Sequence, residues 1–204
     1  MDVVGVDTGG TFTDFTAKDR VLKVRSTPHD PAQAFLEGLA RLGLERPVRL
    51  VHGTTVGTNA LLTRGYARTA FVATEGVEDL IEIGRQDRRD LYAILPRRHD
   101  PMVRREDRFG VRERLRADGS AFTPLDLRDL VQRVRESGAK AVAVCLLHAY
   151  RNPAHERAVG EALMALGIPV ALSHIVANEF REFERAATTV ANAALMPVLG
   201  PYLR

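Results

Sequence analysis

The stretch VGVDTGGTFTDF, residues 4–15, sets Asp7 ahead of two adjacent glycines, Gly9 and Gly10, and among the hydroxyls of Thr8, Thr11 and Thr13. Glycine-rich turns after an apolar strand are suited to phosphate, and the residues that follow decide how. In a dinucleotide fold or a P-loop the turn feeds a helix whose free N–H groups face the anion. Here TFTDFT alternates hydroxyl or acid with aromatic, a period of two, so the glycines feed a strand. Any phosphate would therefore sit on a β-hairpin, ringed by the backbone N–H groups of Thr8, Gly9, Gly10 and Thr11, with side-chain hydroxyls as further donors. Asp7 cannot ligate phosphate, because two anions repel, but it can hold Mg2+ through water. Thr11 and Thr13 are predicted on one face of the outgoing strand and Asp14 on the other. The same local chemistry fits a tight hairpin in which glycine serves the backbone angles and Asp7 and the threonines satisfy turn donors.

A second candidate is HGTTVGTNALL, where His52, Gly53, Thr54 and Thr55 lie between a strand and a predicted helix N-terminus. This loop is expected to face the opening hairpin, with Thr55, Thr58 and Asn59 as donors to a phosphoryl group or a substrate carbonyl. His52 is a candidate acid or base. The alternative is that a threonine caps the helix and His52 packs at a strand end.

The elements that must position these residues are legible from periodicity. Residues 3–26 read as three strands in an antiparallel meander with a charged turn near Lys18 to Arg20. DPAQAFLEGLARLG reads as a helix with Asp30 as cap, Pro31 in its first turn and Gly43 as stop. A strand ending near His52, a helix stopped by Gly65, the strand TAFVATEG and a short helix at VEDLIEIG follow. Residues 85–101 carry two prolines and no clean period, and read as a long loop. FGVRERLRADGSAF alternates as a strand with one solvated face running into an Asp118-Gly119 turn. Thr123-Pro124-Leu125-Asp126 has the form of a capping box, and Asn152-Pro153 repeats the cap-then-proline order. KAVAVCLLH is an apolar run suited to a strand buried on both faces, and IPVALSH gives a further strand. From Asn178 onward the chain reads as helix, interrupted by Pro197 and Gly200. Strands and helices in this order predict an α/β layer in the second half.

Composition narrows the classes. The 204 residues are 45% hydrophobic and 27% charged, and 29 basic against 26 acidic residues leave +3. That surplus is too slight to imply nucleic acid, and the arginine clusters are interspersed with acids and lack stacking aromatics. There is no membrane-length apolar run and no signal segment, so a cytoplasmic protein is expected. The only cysteine, Cys145, lies in an apolar run and reads as core filler.

VGVDTGGTFTDF, VHGTTVGTNALL, IEIGRQDRRDLY, VRERLRADG, AVAVCLLHAYRNPAHE and EFREFERAATTVANAALMPVL, in that order, resemble the N-terminal region of the hydantoinase A/5-oxoprolinase family. The opening motif also resembles the first phosphate motif of the actin, hexokinase and Hsp70 superfamily. The resemblance implies an actin-like (ribonuclease H-like) α/β ATPase lobe, ATP and Mg2+ as cofactors, and phosphoryl transfer to the carbonyl of a cyclic amide such as a lactam or hydantoin, which water then opens. It extends to ketone substrates, since relatives serve in acetone and acetophenone carboxylases. Arg85, Gln86, Asp90 and Tyr92 match the family's GRQ…DLY pattern, and Arg85 could hold a substrate carboxylate. The alternative there is a surface loop pinned by Arg-Asp pairs.

His148 ends the buried strand, and Glu184 and Arg185 are expected in a helix at a lobe junction. No second phosphate hairpin or adenosine motif is found. Residues 1–177 are thus expected to form the family's N-terminal domain and residues 178–204 the helical start of a following ATPase domain. The missing lobe would come from the rest of the chain or a partner subunit, in a homo- or hetero-oligomer. A non-catalytic module for phosphate-containing ligands is the alternative from another class.

Overall fold

A computed structural model describes residues 2–18, 20–27, 30–43, 48–87, 92–95 and 100–203. They form two compact units, one of residues up to Gly65 together with the chain from Leu199 on, the other Tyr66–Val198. Both are mixed α/β.

In the first unit, β1 (Asp2–Thr8), β2 (Phe12–Ala17) and β3 (Arg20–Arg25) form the expected meander, and β4 (Val48–Thr54) lies parallel to β1. The sheet order is β3-β2-β1-β4. A parallel neighbour needs a crossover, and helix α1 (Pro31–Leu42) lies in that connection. Alternation does the sorting: Thr13, Phe15 and Ala17 are buried, while Phe12, Asp14 and Thr16 point the other way. Phe15 and Ala17 join Val4, Val6, Val24, Ala34 and Leu42 in a core between α1 and one sheet face. A Cβ on Gly38 would lie 2.1 Å from the Phe15 ring, so only glycine lets α1 approach this closely.

Capping differs from expectation. Asp30 makes no side-chain cap on α1. Thr27 Oγ1 instead accepts from Ala34 N–H at 3.2 Å and donates to Asp30 O. Gly43 does close the helix, in the left-handed conformation. Helix α2 (Val56–Leu62) is short, and after it the left-handed residue is Arg64, with Gly65 N–H returning to Ala60 O.

In the second unit the order is β7-β6-β5-β8-β9, where β5 is Thr69–Thr74, β6 Arg108–Leu115, β7 Ala121–Asp126, β8 Ala141–Cys145 and β9 Val170–Leu172. Only the β6–β7 pair is antiparallel. β5 and β8 are buried along their length, with apolar clusters on both faces of the sheet. Around them lie α3 (Leu80–Ile83), α4 (Leu130–Ser137), α5 (Ala154–Leu163), α6 (Ser173–Val176) and α7 (Glu182–Tyr202), whose last residues cluster with the first unit.

Two expectations fail here. Thr123 to Asp126 is not a capping box but part of edge strand β7, where a proline costs no ladder bond to a further strand. Asp126 accepts from Arg128 N–H and pairs with its guanidinium, and α4 starts four residues later. Pro197 and Gly200 do not interrupt α7, whose earlier turns are held by buried Arg185, Ala186, Thr189, Val190, Ala193 and Ala194. Among the described residues no helix is long and apolar enough to cross a membrane.

Candidate functional site

The opening hairpin closes by Gly9 N–H donating to Phe12 O at 2.9 Å, leaving Gly10 and Thr11 at its tip. β3 locks it from the side: Ser26 N–H donates to Thr11 O at 2.9 Å, and Ser26 Oγ donates to Gly9 O at 2.8 Å. Thr13 is fully buried with its Oγ1 3.0 Å from Ser26 Oγ. Thr13 therefore does not share an outward face with exposed Thr11, because Thr11 lies in the hairpin tip before β2 while Thr13 follows the alternation of the strand into the core. Gly9 likewise differs from expectation, since its N–H is turned into the hairpin. Neither Gly9 nor Gly10 has a positive φ; close approach is what glycine serves here, as a Cβ on Gly9 would lie 3.1 Å from Phe12 O.

The parallel pairing of β1 with β4 sets Asp7 opposite Gly53 and Thr8 opposite Thr54. Thr55 N–H and Thr54 Oγ1 both donate to Thr8 O at 3.3 Å, and Thr54 Oγ1 also accepts from Val56 N–H. Asn59 Nδ2 donates to Thr55 Oγ1 at 3.3 Å and would lie 3.8 Å from a Cβ on Gly10. The loop thus meets the hairpin as expected, with Gly53, Thr55, Thr58 and Asn59 exposed.

His52 is more constrained than its sequence position suggests. Its Nε2 lies 3.1 Å from Thr8 Oγ1 and 2.9 Å from the Tyr202 hydroxyl, and its ring packs 5.7 Å from those of both Phe35 and Tyr202. As placed it orders Thr8 and the end of α7. Nothing in the sequence pattern pointed to Tyr202, which is 150 residues away along the chain.

On the sheet face away from α1, one row crosses all four strands. Gly53 pairs with Asp7, Asp7 with Asp14, and Asp14 with Lys23. A Cβ on Gly53 would sit 3.4 Å from Asp7 Oδ1, so glycine keeps the space over that carboxylate open. Asp14 Oδ1 is buried with no hydrogen-bond partner, although Lys23 Nζ lies 3.4 Å away as an ion-pair contact. Hard carboxylate oxygens with an open approach fit Mg2+, which commonly takes one or two carboxylates and completes its shell with phosphate and water. Among the described residues there is no larger cluster of metal-ligating side chains.

The remaining candidates lie in the second unit. Arg85 donates from Nε to Glu184 Oε1 at 2.7 Å, so this guanidinium is paired within its own unit. The Glu184 carboxyl is held below the usual range by its own backbone N–H, with Arg85 adding to the effect. Gln86 is exposed with a φ of 57°, Tyr92 is 98% exposed, and Asp90 falls outside the described residues. His148 also has positive φ, and its Nδ1 is buried without a hydrogen-bond partner. Cys145 is core, as expected, and burial pushes its thiol pKa up.

The buried ionic network of this unit escaped the sequence reading. Glu156 accepts from Leu146 N–H, Ser173 Oγ–H, and both the backbone N–H and Nδ1 of His174. Glu113 takes Thr74 Oγ1–H and His155 Nδ1. Arg185 donates to Leu146 O, Glu179 O and Cys145 Sγ.

The hydantoinase/oxoprolinase N-terminal region family matches residues 3–167. The chain belongs to that family. This hydantoinase/oxoprolinase region is 36% identical to caprolactamase subunit alpha of Pseudomonas jessenii, over 98% of the chain and 32% of the relative. It is 35% identical to the acetophenone carboxylase gamma subunit of Aromatoleum aromaticum, over 96% of the chain and 31% of the relative. The crystal structure of the ATP-dependent caprolactamase from P. jessenii superposes with a TM-score of 0.83 at 35% identity, over 98% of this chain and 32% of that one. The hydantoinase/oxoprolinase region thus spans about a third of the length of these relatives, and two of them are subunits by name.

Proposed function

We propose that this region is the N-terminal part of an ATP-dependent amidohydrolase that phosphorylates and hydrolyses a cyclic amide, a lactam or hydantoin. The observation that carries the reading is the junction of the Asp7 hairpin with residues 53–59, which sets a carboxylate, an exposed glycine tip and three exposed polar side chains side by side. An amide carbonyl is a poor electrophile. Its oxygen would take the terminal phosphoryl group of ATP as ADP leaves; one water would add to the carbon and the protonated ring amine would depart to leave an acyl phosphate, which a second water would hydrolyse to carboxylate and phosphate. Magnesium, when bound, neutralises phosphoryl charge. Asp7 would hold it, the backbone of Gly10 and Thr11 would face phosphate, and Thr55, Thr58 and Asn59 would orient the carbonyl. Thr8 and His52 would support the hairpin from below. Arg85 would meet a substrate carboxylate only by leaving Glu184, with Gln86, Asp90 and Tyr92 near it in sequence.

This reading keeps residues 178–204 as the start of a following domain, a further lobe or partner subunit completing the site, and a cytoplasmic setting where ATP is available. In the full polypeptide, Asp7→Asn should abolish amide-dependent phosphate release with the melting temperature unchanged; near-normal turnover would refute the assignment. The likeness to the acetophenone carboxylase subunit supports a second reading, a subunit of an ATP-dependent ketone carboxylase. A demand for bicarbonate and incorporation of its labelled carbon would select that one.

A further inference from the structure

We propose that Asp14 is a second cation ligand, so that Asp7 and Asp14 together bind one hard divalent cation on the open face of the first unit's sheet. The inference deepens the phosphoryl-transfer reading and rests on it for the identity of the cation as Mg2+. Asp7 and Asp14 are direct partners across antiparallel strands. Residues so placed have Cβ atoms about 4.5–5.5 Å apart, and like charges there repel. The pair therefore raises the energy of the empty hairpin unless positive charge lies beside it.

The resident positive charge is a poor match. Lys23 stands next to Asp14 in the row, on the side away from Asp7, and is one ammonium against two carboxylates. Its Nζ is shared between Asp14 at 3.4 Å and the face of the Phe12 ring at 5.2 Å. Asp14 Oδ1 makes no hydrogen bond although that atom is buried. A desolvated carboxylate oxygen met only by the long Lys23 ion-pair contact is under-compensated, and a cation removes that cost by coordination. Access exists, because the Asp14 side chain is 44% exposed overall and Asp7 is exposed. Gly53 at the far end of the row keeps side-chain bulk off Asp7. Phe12 gives Lys23 a place to rest when the cation occupies the carboxylates.

The test is Mn2+ binding to the full polypeptide without nucleotide, followed by electron paramagnetic resonance of free Mn2+ and by water-proton relaxation, with Mg2+ as competitor. Wild type is expected to bind a Mn2+ that Asp7→Asn and Asp14→Asn each weaken by at least about tenfold. Lys23→Met should tighten it a few-fold by removing a neighbouring positive charge. Melting with chelator checks folding: Asp14→Asn should melt no lower than wild type, and the Mg2+-dependent rise expected of wild type should vanish. Wild-type Mn2+ affinity in Asp14→Asn, or no Mn2+ sensitive to either aspartate, would overturn the inference. If Asp14→Asn binds Mn2+ normally while Asp7→Asn stops phosphate release, this inference fails and the proposed function stands. If both aspartates bind Mn2+ but no cyclic amide elicits phosphate release, the amidohydrolase reading fails and the cation site remains.

Discussion

The two units treat charge in opposite ways. In the second, Glu156 and Arg185 are wholly buried, yet each is surrounded by donors or acceptors from the chain itself. Arg108 is similarly enclosed by Asp79, Glu82 and Val103 O. In the first, Asp7 and Asp14 face each other across two strands on an open sheet face, and one buried oxygen makes no hydrogen bond and only a long ion-pair contact to Lys23. A buried charge whose partners all come from the protein is closed to ligands and acts in stability. Paired carboxylates on an exposed face, met only by the Lys23 ammonium 3.4 Å from Asp14, have capacity left for something from outside. Perturbed or buried ionisable residues therefore do not by themselves mark a site.

The sharpest way to break this contrast is Glu156→Ala. Removing an acceptor that serves four donors should cost about 3–5 kcal/mol in denaturant unfolding, whereas Asp7→Asn should stay within about 0.5 kcal/mol of wild type. Equal effects would erase the distinction between the units. Next is Gly38→Ala, which forces a methyl into the Phe15 ring and should destabilise by about 1–3 kcal/mol. It should also lower hydrogen-exchange protection in β2 while sparing β8. Thr13→Val, removing the buried hydroxyl beside Ser26, should cost about 1 kcal/mol. Its effect on phosphate release should be far smaller than that of Asp7→Asn, since Thr13 only supports the hairpin.

The smallest effect is one of pH. The Arg128 guanidinium, followed by its backbone N–H, holds the Asp126 carboxyl at about 2. An acid depressed in the folded state stabilises fully above its unfolded pKa of about 3.9, and that stabilisation is lost as pH falls through the folded value. Acid titration of unfolding between these limits should therefore show a slightly shallower loss in Asp126→Asn than in wild type. The Arg128 partner is exposed and the pair lies at the surface, so the difference should be far below that of Glu156→Ala.

Some of this was legible along the chain. The meander, the buried run at β8 and the glycine stop of α1 follow from periodicity and left-handed φ, which are properties of adjacent residues. The Asp7–Asp14 pairing was also within reach. Once Gly10 and Thr11 are the hairpin tip, register alone sets residue 7 opposite 14 and residue 8 opposite 13. The capping box at Thr123 misled because a local hydrogen-bond pattern competed with edge pairing to β6, and the pairing prevailed. Helix α7 outlasted its proline because burial of its earlier turns outweighs intrinsic propensity.

By itself, then, the sequence determined the glycine hairpin after β1 and the period-two alternation of β2, though not that Thr13 turns inward. It also determined a family likeness that the match over residues 3–167 bears out. Only the tertiary structure decided that Tyr202 reaches His52, that Glu156 gathers its donors from two separate segments, and that Gly53, Asp7, Asp14 and Lys23 form one row. Such contacts depend on strand order and crossover, which no local window of residues encodes: a parallel neighbour like β4 is brought to β1 by a helix, not by a turn.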